Sequence, residues 1–232
     1  MKIGIIGGGQ LAKMMILAGY PLGQRFVVLD PSAEAAGAVV ANQHIQGDYD
    51  DPAKLAELAA ACDVVTFDFE NVPAVALRQL ESQVPTYPPS LALEVSQDRL
   101  HEKRMLNDQG IPTAPYYAAN TLEDLEKAVD DIGLPGILKT RRLGYDGKGQ
   151  FVIRSTEQLA DAIEAMAGQE ATYEGMVNFD CEVSLLSVRG RAGEIEFYPL
   201  AHNEHVGGIL HISRVPYADD ALQAQAEKLA TP

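Results

Sequence analysis

The chain has 232 residues, 47% apolar and 22% charged, with 33 acidic against 18 basic side chains and a net charge of −15. This composition is that of an ordinary globular protein, and it excludes the concentrated basic face that a nucleic-acid partner requires. Cys62 and Cys181 lie far apart and exclude a disulfide framework; with no long apolar span and no signal-peptide pattern after Met1-Lys2, the sequence predicts a soluble protein of the cytoplasm that needs no membrane.

Ile3–Ile6 is an apolar strand that runs into Gly7-Gly-Gly-Gln-Leu-Ala12, and Lys13 to Gly19 follow in a helical pattern. Val27–Asp30 is a second strand ending in an acid. The βαβ opening with Gly7, Gly9 and Ala12, and Asp30 about twenty residues further on, meets the dinucleotide fingerprint. The same glycines also suit any strand-to-helix turn, with or without an anion at the helix start. His44–Asp48 reads as a third strand, Asp51-Pro52 opens an alanine-rich helix to about Ala61, and Asp63–Phe67 is a fourth strand. Glu70 and Asn71 follow that strand's C-terminal end, where ligands of open α/β sheets bind, although Asn71-Val72-Pro73 also fits the cap of a helix over 74–81.

Pro85-Thr-Tyr-Pro-Pro-Ser90 marks a domain boundary. Beyond it the pattern predicts one long helix over 91–109, a short Tyr116-Tyr117 segment, and a helix from a capping-box start at Thr121 to about Ile132. Gly136-Ile-Leu-Lys139 is a strand, Phe151-Val-Ile153 is another, and between them lie Arg141, Arg142, Gly144, Tyr145, Asp146, Gly147, Lys148, Gly149 and Gln150. A glycine-rich loop with a strand-end lysine and neighbouring cations suits a polyphosphate, because glycines let backbone N–H groups face an anion. A strand rather than a helix follows the glycines, so this is not a P-loop; a hairpin turn with solvated charges is the alternative. Thr156 is expected to cap a helix to about Gly168. Strands are then expected over 171–177, 181–188, 194–199 and 207–213, with the polar residues His202 to His205 in a loop and a final helix over 218–230.

Together these stretches resemble the ATP-grasp ligases, and among them the N5-carboxyaminoimidazole ribonucleotide synthase family. The resemblance rests on Gly7–Met15, Gln97–Lys103, Pro112–Pro115, Ile137–Lys139 with Gly144–Gln150, Asn178–Ser184 and Phe197–His205, in family order. It implies an α/β fold: a Rossmann-like preATP-grasp domain over 1–95, then an ATP-grasp α+β domain with a small lid subdomain over 96–172. The larger subdomain would begin over 173–232 and be incomplete at its C-terminus. Family members continue for about another hundred residues with carboxylates that hold Mg²⁺, so the resemblance places the metal ligands beyond Pro232. The chain as given is then expected to be an incomplete catalyst.

The implied reaction carboxylates aminoimidazole ribonucleotide with bicarbonate at the expense of ATP, activating bicarbonate, a poor electrophile, as carboxyphosphate, in a homodimeric enzyme. By resemblance, Lys139, Lys148 and the backbone from Gly144 to Gln150 hold the phosphates, with Arg99 contributing, in a loop that acts as a lid. Tyr145 either orients bicarbonate or packs the lid. Glu174, Gly175, Met176 and Val177 read adenine, Glu182 accepts from the ribose, and His205 contacts the nucleotide or serves structure alone. Gln10, Leu11, Glu70 and Asn71 are assigned to the ribonucleotide. Two other readings stay open: a Rossmann NAD oxidoreductase using Gly7, Gly9, Ala12 and Asp30, and a non-catalytic nucleotide-binding module.

Overall fold

The computed structural model describes residues 1–68, 70–144 and 148–231. The chain divides into two compact units, Met1–Asp98 and Arg99–Pro232. In the first, strands β1 (Lys2–Ile6), β2 (Arg25–Asp30), β3 (Gln43–Gln46) and β4 (Val64–Phe67) alternate with helices α1 (Gln10–Gly19), α2 (Ala36–Val40) and α3 (Pro52–Ala61). Helices α4 (Ala74–Glu81) and α5 (Ser90–Ser96) complete it. The strands form a parallel sheet in the order β3-β2-β1-β4.

Burial on both faces explains why β1 and β2 are continuous apolar runs rather than alternating ones. Ile6, Val27 and Leu29 pack with Leu55, Leu58, Leu77 and Leu80. Ile5, Phe26 and Val28 point the other way, onto Ala12 and Ile16 of α1. Asp51 starts α3 by accepting from the Ala53 and Lys54 amides, with Pro52 at the first helical position.

The second unit opens with α6 (Arg99–Asp108), β5 (Tyr116–Ala118), α7 (Leu122–Ile132), β6 (Gly136–Thr140), β7 (Gln150–Ile153), α8 (Leu159–Ala165) and β8 (Ala171–Gly175). These strands form an antiparallel sheet in the order β5-β8-β6-β7. Leu138, Ile153, Ala171 and Tyr173 face α7 and α8, where Leu125, Ala128, Leu159 and Ala162 complete the core. By the two-residue period of a strand, Ile137, Lys139, Thr172 and Glu174 share the opposite face. Strands β9 (Glu182–Ser184), β10 (Ser187–Arg189), β11 (Ile195–Phe197), β12 (Ala201–Val206) and β13 (Ile209–Arg214) follow, then helix α9 (Asp220–Leu229). β10 pairs with β11, and a second sheet runs β13-β12-β9.

Four local readings change. The long helix over 91–109 is two helices, because Gln97 turns its side chain onto the Glu70 and Val72 carbonyls at 2.6 and 2.7 Å. The Arg99 amide then bonds the Arg141 carbonyl at 3.0 Å instead of continuing α5. The strand over 181–188 splits into β9 and β10, since each half pairs with a different partner. His202 to His205 lie in a strand, not a loop. The turn expected to be capped by Thr156 begins one residue earlier: Gln158 Oε1 accepts from the Arg154 and Ser155 amides at 2.7 and 3.3 Å, and a 3-10 turn precedes α8.

The capping box of α7 forms as its sequence predicts. The Thr121 hydroxyl oxygen accepts from the Asp124 amide at 3.1 Å, and the Asp124 carboxylate accepts from the Thr121 amide at 3.0 Å. Thr121→Ala is therefore expected to lower stability by about 0.5–2 kcal/mol, read as an earlier urea-unfolding midpoint. The Thr121 side chain, then the Asn120 and Thr121 amides, hold the Asp124 carboxyl below its usual value of 3.8. A lowered carboxylate pKa stabilises the fold above the unfolded value and ceases to do so as pH falls through the folded one. The deficit of the variant should accordingly shrink in acid below the usual carboxylate range.

Candidate functional site

The non-core face of β6 and β8 carries the densest charge arrangement of the second unit. Ile137 pairs with Glu174 in register and Lys139 pairs with Thr172, which sets Lys139 diagonally beside Glu174. Lys139 Nζ donates to Glu174 Oε2 at 3.0 Å. Lys103 Nζ, from α6, reaches the same oxygen at 3.2 Å and lies 5.6 Å from the centre of the Tyr116 ring. Tyr116 is the β5 partner of Glu174. The Glu174 side chain is only 8% exposed, so its charge is tolerated because two ammonium groups share it. Its other oxygen, Oε1, is buried and has no partner among the described residues, and neither has Thr172 Oγ1 on the same face. Native proteins seldom leave such atoms unmatched, so this face is suited to a ligand that brings a donor.

Where β6 ends, Arg99 fastens the base of the glycine-rich loop. Its Nε donates to the Thr140 carbonyl at 3.1 Å and its Nη2 to the Gly144 carbonyl at 3.4 Å. Thr140 N donates to the Gly149 carbonyl at 2.8 Å, closing the loop from its other end. Gly149 has φ +69°, and a Cβ there would lie 2.5 Å from Thr140 Oγ1, which accounts for glycine at this position. Lys148 is exposed, and Gln150 pairs with Lys139 in register. Tyr145, Asp146 and Gly147 lie outside the described residues. At the end of β8 the Gly175 amide, and just beyond it the Met176 amide, donate to the Pro115 and Pro135 carbonyls at 3.0 and 3.2 Å, and Val177 is exposed.

A second polar group forms in the β13-β12-β9 sheet. Asn203 stands opposite Glu182 in register, and His205, two residues on, shares its face. Glu182 Oε1 lies 3.4 Å from Asn203 Nδ2 and 3.5 Å from His205 Nδ1. Asn203 Nδ2 also donates to Ser184 Oγ at 2.6 Å, and its Oδ1 accepts from Ser213 at 2.8 Å, so one amide fixes three strands. Among the described residues, no group of three or more His, Cys, Asp or Glu is placed to hold a metal ion.

In the first unit, two internal carboxylates hold the glycine loop. Asp30, 6% exposed, accepts from the Gly8 amide at 2.7 Å and the Tyr49 hydroxyl at 2.8 Å through Oδ2, and from the Ser32 amide at 2.8 Å through Oδ1. Burial first, then this bond to Asp30, pushes the Tyr49 phenol above its usual range. With both oxygens engaged, Asp30 does not offer the open acceptor a dinucleotide ribose requires. Asp68 accepts from the Gly9 amide at 2.7 Å and the Ala12 amide at 2.6 Å, taking the N-terminus of α1 where a pyrophosphate would sit. Gln10 and Leu11 are exposed on the first turn of α1. Glu70 and Asn71 are also exposed; α4 has Pro73 at its N-cap, so Asn71 does not cap it.

The structure thus groups Lys139 with Glu174, Arg99 with Gly144, and Glu182 with His205. Sequence reading missed Lys103, Thr140 and Asn203. Lys103 had a signal: it stands four residues after Arg99, on the same helical face.

The ATP-grasp domain model matches residues 104–232, and the ribonucleotide synthetase preATP-grasp domain model matches residues 1–97. The chain belongs to the ATP-grasp family. Within it, the chain is 48% identical to the N5-carboxyaminoimidazole ribonucleotide synthase of Pseudomonas aeruginosa over 98% of its own length and 62% of that protein's. It is similar to the crystal structure of N5-carboxyaminoimidazole ribonucleotide synthetase from Thermus thermophilus, with a TM-score of 0.91 and 48% identity, over 99% of this chain and 62% of that one. The Staphylococcus aureus N5-carboxyaminoimidazole synthetase complexed with ADP gives a TM-score of 0.93 at 39% identity, covering 99% of this chain and 61% of that one. The chain therefore spans about three fifths of the length of the relatives it matches.

Proposed function

We propose that the chain carries the nucleotide-binding part of an ATP-dependent ligase that carboxylates 5-aminoimidazole ribonucleotide with bicarbonate, giving N5-carboxyaminoimidazole ribonucleotide, ADP and phosphate. The names of its relatives support the reaction. The single observation that carries the nucleotide site is the buried Glu174 carboxylate, held at one oxygen by two ammonium groups and, among the described residues, unpartnered at the other. Glu174 Oε1 accepts the exocyclic amine of adenine, and the carbonyls of residues 175–176 with Val177 complete the base contact. Glu182, braced by Asn203 and His205, accepts from the ribose hydroxyls. Lys139, Lys148 and the loop amides from Gly144 to Gln150, with Tyr145 and Asp146, surround the phosphates, and Arg99 sets the loop's base.

Phosphoryl transfer chiefly requires positioning and cations around the γ-phosphate. A bicarbonate oxygen attacks phosphorus while the bond to the bridging oxygen breaks and ADP leaves. The substrate amine then attacks the activated carboxyl carbon and phosphate leaves. Closing the loop keeps water from the intermediate. Gln10, Leu11, Glu70 and Asn71 serve the ribonucleotide. The division into a lid over 96–172 and a larger subdomain from 173, a cytoplasmic setting and a homodimer belong to the same reading. No described helix is long and apolar enough to cross a membrane.

Saturable ATP binding and no NAD binding are the expected results for this chain, with ADP release that requires both aminoimidazole ribonucleotide and bicarbonate expected of a version extended to the full family length. NAD binding without ATP binding would overturn the assignment.

A further inference from the structure

Two lysines on one carboxylate oxygen are more than charge neutrality needs. Glu174 is almost fully buried and would be satisfied by one ammonium. The second matters once a phosphate arrives. Lys139 sits at the end of β6 beside the glycine-rich loop, and the nucleotide reading above sends its ammonium to the phosphates. If it were the sole partner of Glu174, that move would strand a buried charge and oppose binding. Lys103 reaches the same oxygen from α6, a different element, with its side chain 15% exposed and its ammonium near the Tyr116 ring. It lies away from the loop in sequence and is anchored on the other side of the carboxylate.

We propose that Lys103 is a positioning residue: it stays on Glu174 and so releases Lys139 to the nucleotide's phosphates. The inference rests on the nucleotide reading and adds the residue that makes Lys139 transferable. Lys103 itself touches no phosphate. Its consequence is specific. The phosphates, not the base, feel its loss, because adenosine leaves Lys139 where it is and still meets Glu174 Oε1.

The quantity that tests this is the ratio of ATP to adenosine affinity, measured by calorimetric titration of the purified protein. Lys103→Met is expected to reduce that ratio at least tenfold with adenosine binding unchanged within about twofold, and Lys103→Arg to keep the ratio within about threefold of the parent. Neutralising the carboxylate removes the need for a second cation. In a Glu174→Gln background, Lys103→Met should therefore change the ratio less than threefold. That pair also covers the case in which Lys103→Met alone does not fold, since no unpaired buried charge remains. An undiminished ratio in Lys103→Met, or parallel loss of both ligands, would overturn the proposal. So would a loss that persists in the Glu174→Gln background, which would mean that Lys103 contacts phosphate directly. If the parent binds neither adenosine nor ATP, the nucleotide reading itself fails, which is a separate outcome.

Discussion

Replacing Lys139 by alanine is expected to weaken ATP binding by about 1.5–3 kcal/mol, roughly 10- to 150-fold, the range for a hydrogen bond to a charged group. The side chain leaves the last turn of the pleat before the glycine-rich loop, is 22% exposed, and keeps its ammonium 3.0 Å from Glu174. It is thus oriented and only partly hydrated, so a phosphate gains its charge without the full desolvation of a free lysine. The variant is expected to fold, because Lys103 still neutralises Glu174 at 3.2 Å. Isothermal titration with ATP checks the result. An unchanged affinity in a folded variant would remove Lys139 from the phosphate site.

Asp30→Ala is expected to lower the stability of the first unit by about 2–4 kcal/mol, because it leaves one buried amide and two part-buried donors without their acceptor. The Gly8 and Ser32 amides and the Tyr49 hydroxyl all lose it at once. Urea unfolding followed by circular dichroism reads the change. A dinucleotide role for Asp30 makes the contrary forecast, with stability nearly unchanged and NAD affinity lost. The two roles call for the same acid at the end of β2, and the engaged oxygens favour the first.

That ambiguity shows where the sequence was legible. Apolar runs at 3–6, 27–30 and 64–67 announced the parallel strands, since strands buried on both faces need no alternation. Thr121 and Asp124 announced α7 through local chemistry alone. What stayed hidden depends on distant partners. Gln97 breaks the helix by bonding carbonyls 25 and 27 residues earlier, which no local pattern encodes. Asp30 had the right spacing for ribose, but its spacing could not reveal that Gly8, Ser32 and Tyr49 already occupy it. Lys103 belongs to a strongly polar helix, where an inward-facing lysine and a solvated one look alike until Glu174 is seen beside it. The strand-end position of Lys139 was readable; its partnership with Glu174, 35 residues away, was not.

The two carboxylates that grip the first glycine loop also bear on binding thermodynamics. Asp30 holds Gly8, and Asp68 holds Gly9 and Ala12, so the backbone of this turn has its shape before any small molecule arrives. Ordering a flexible residue costs about 1–2 kcal/mol of conformational entropy. Here that ordering is completed when the chain folds. A ribonucleotide docking against this turn would surrender mainly its own freedom and its own hydration. Its affinity would then respond weakly to substitutions that stiffen the loop and strongly to those that loosen either acid.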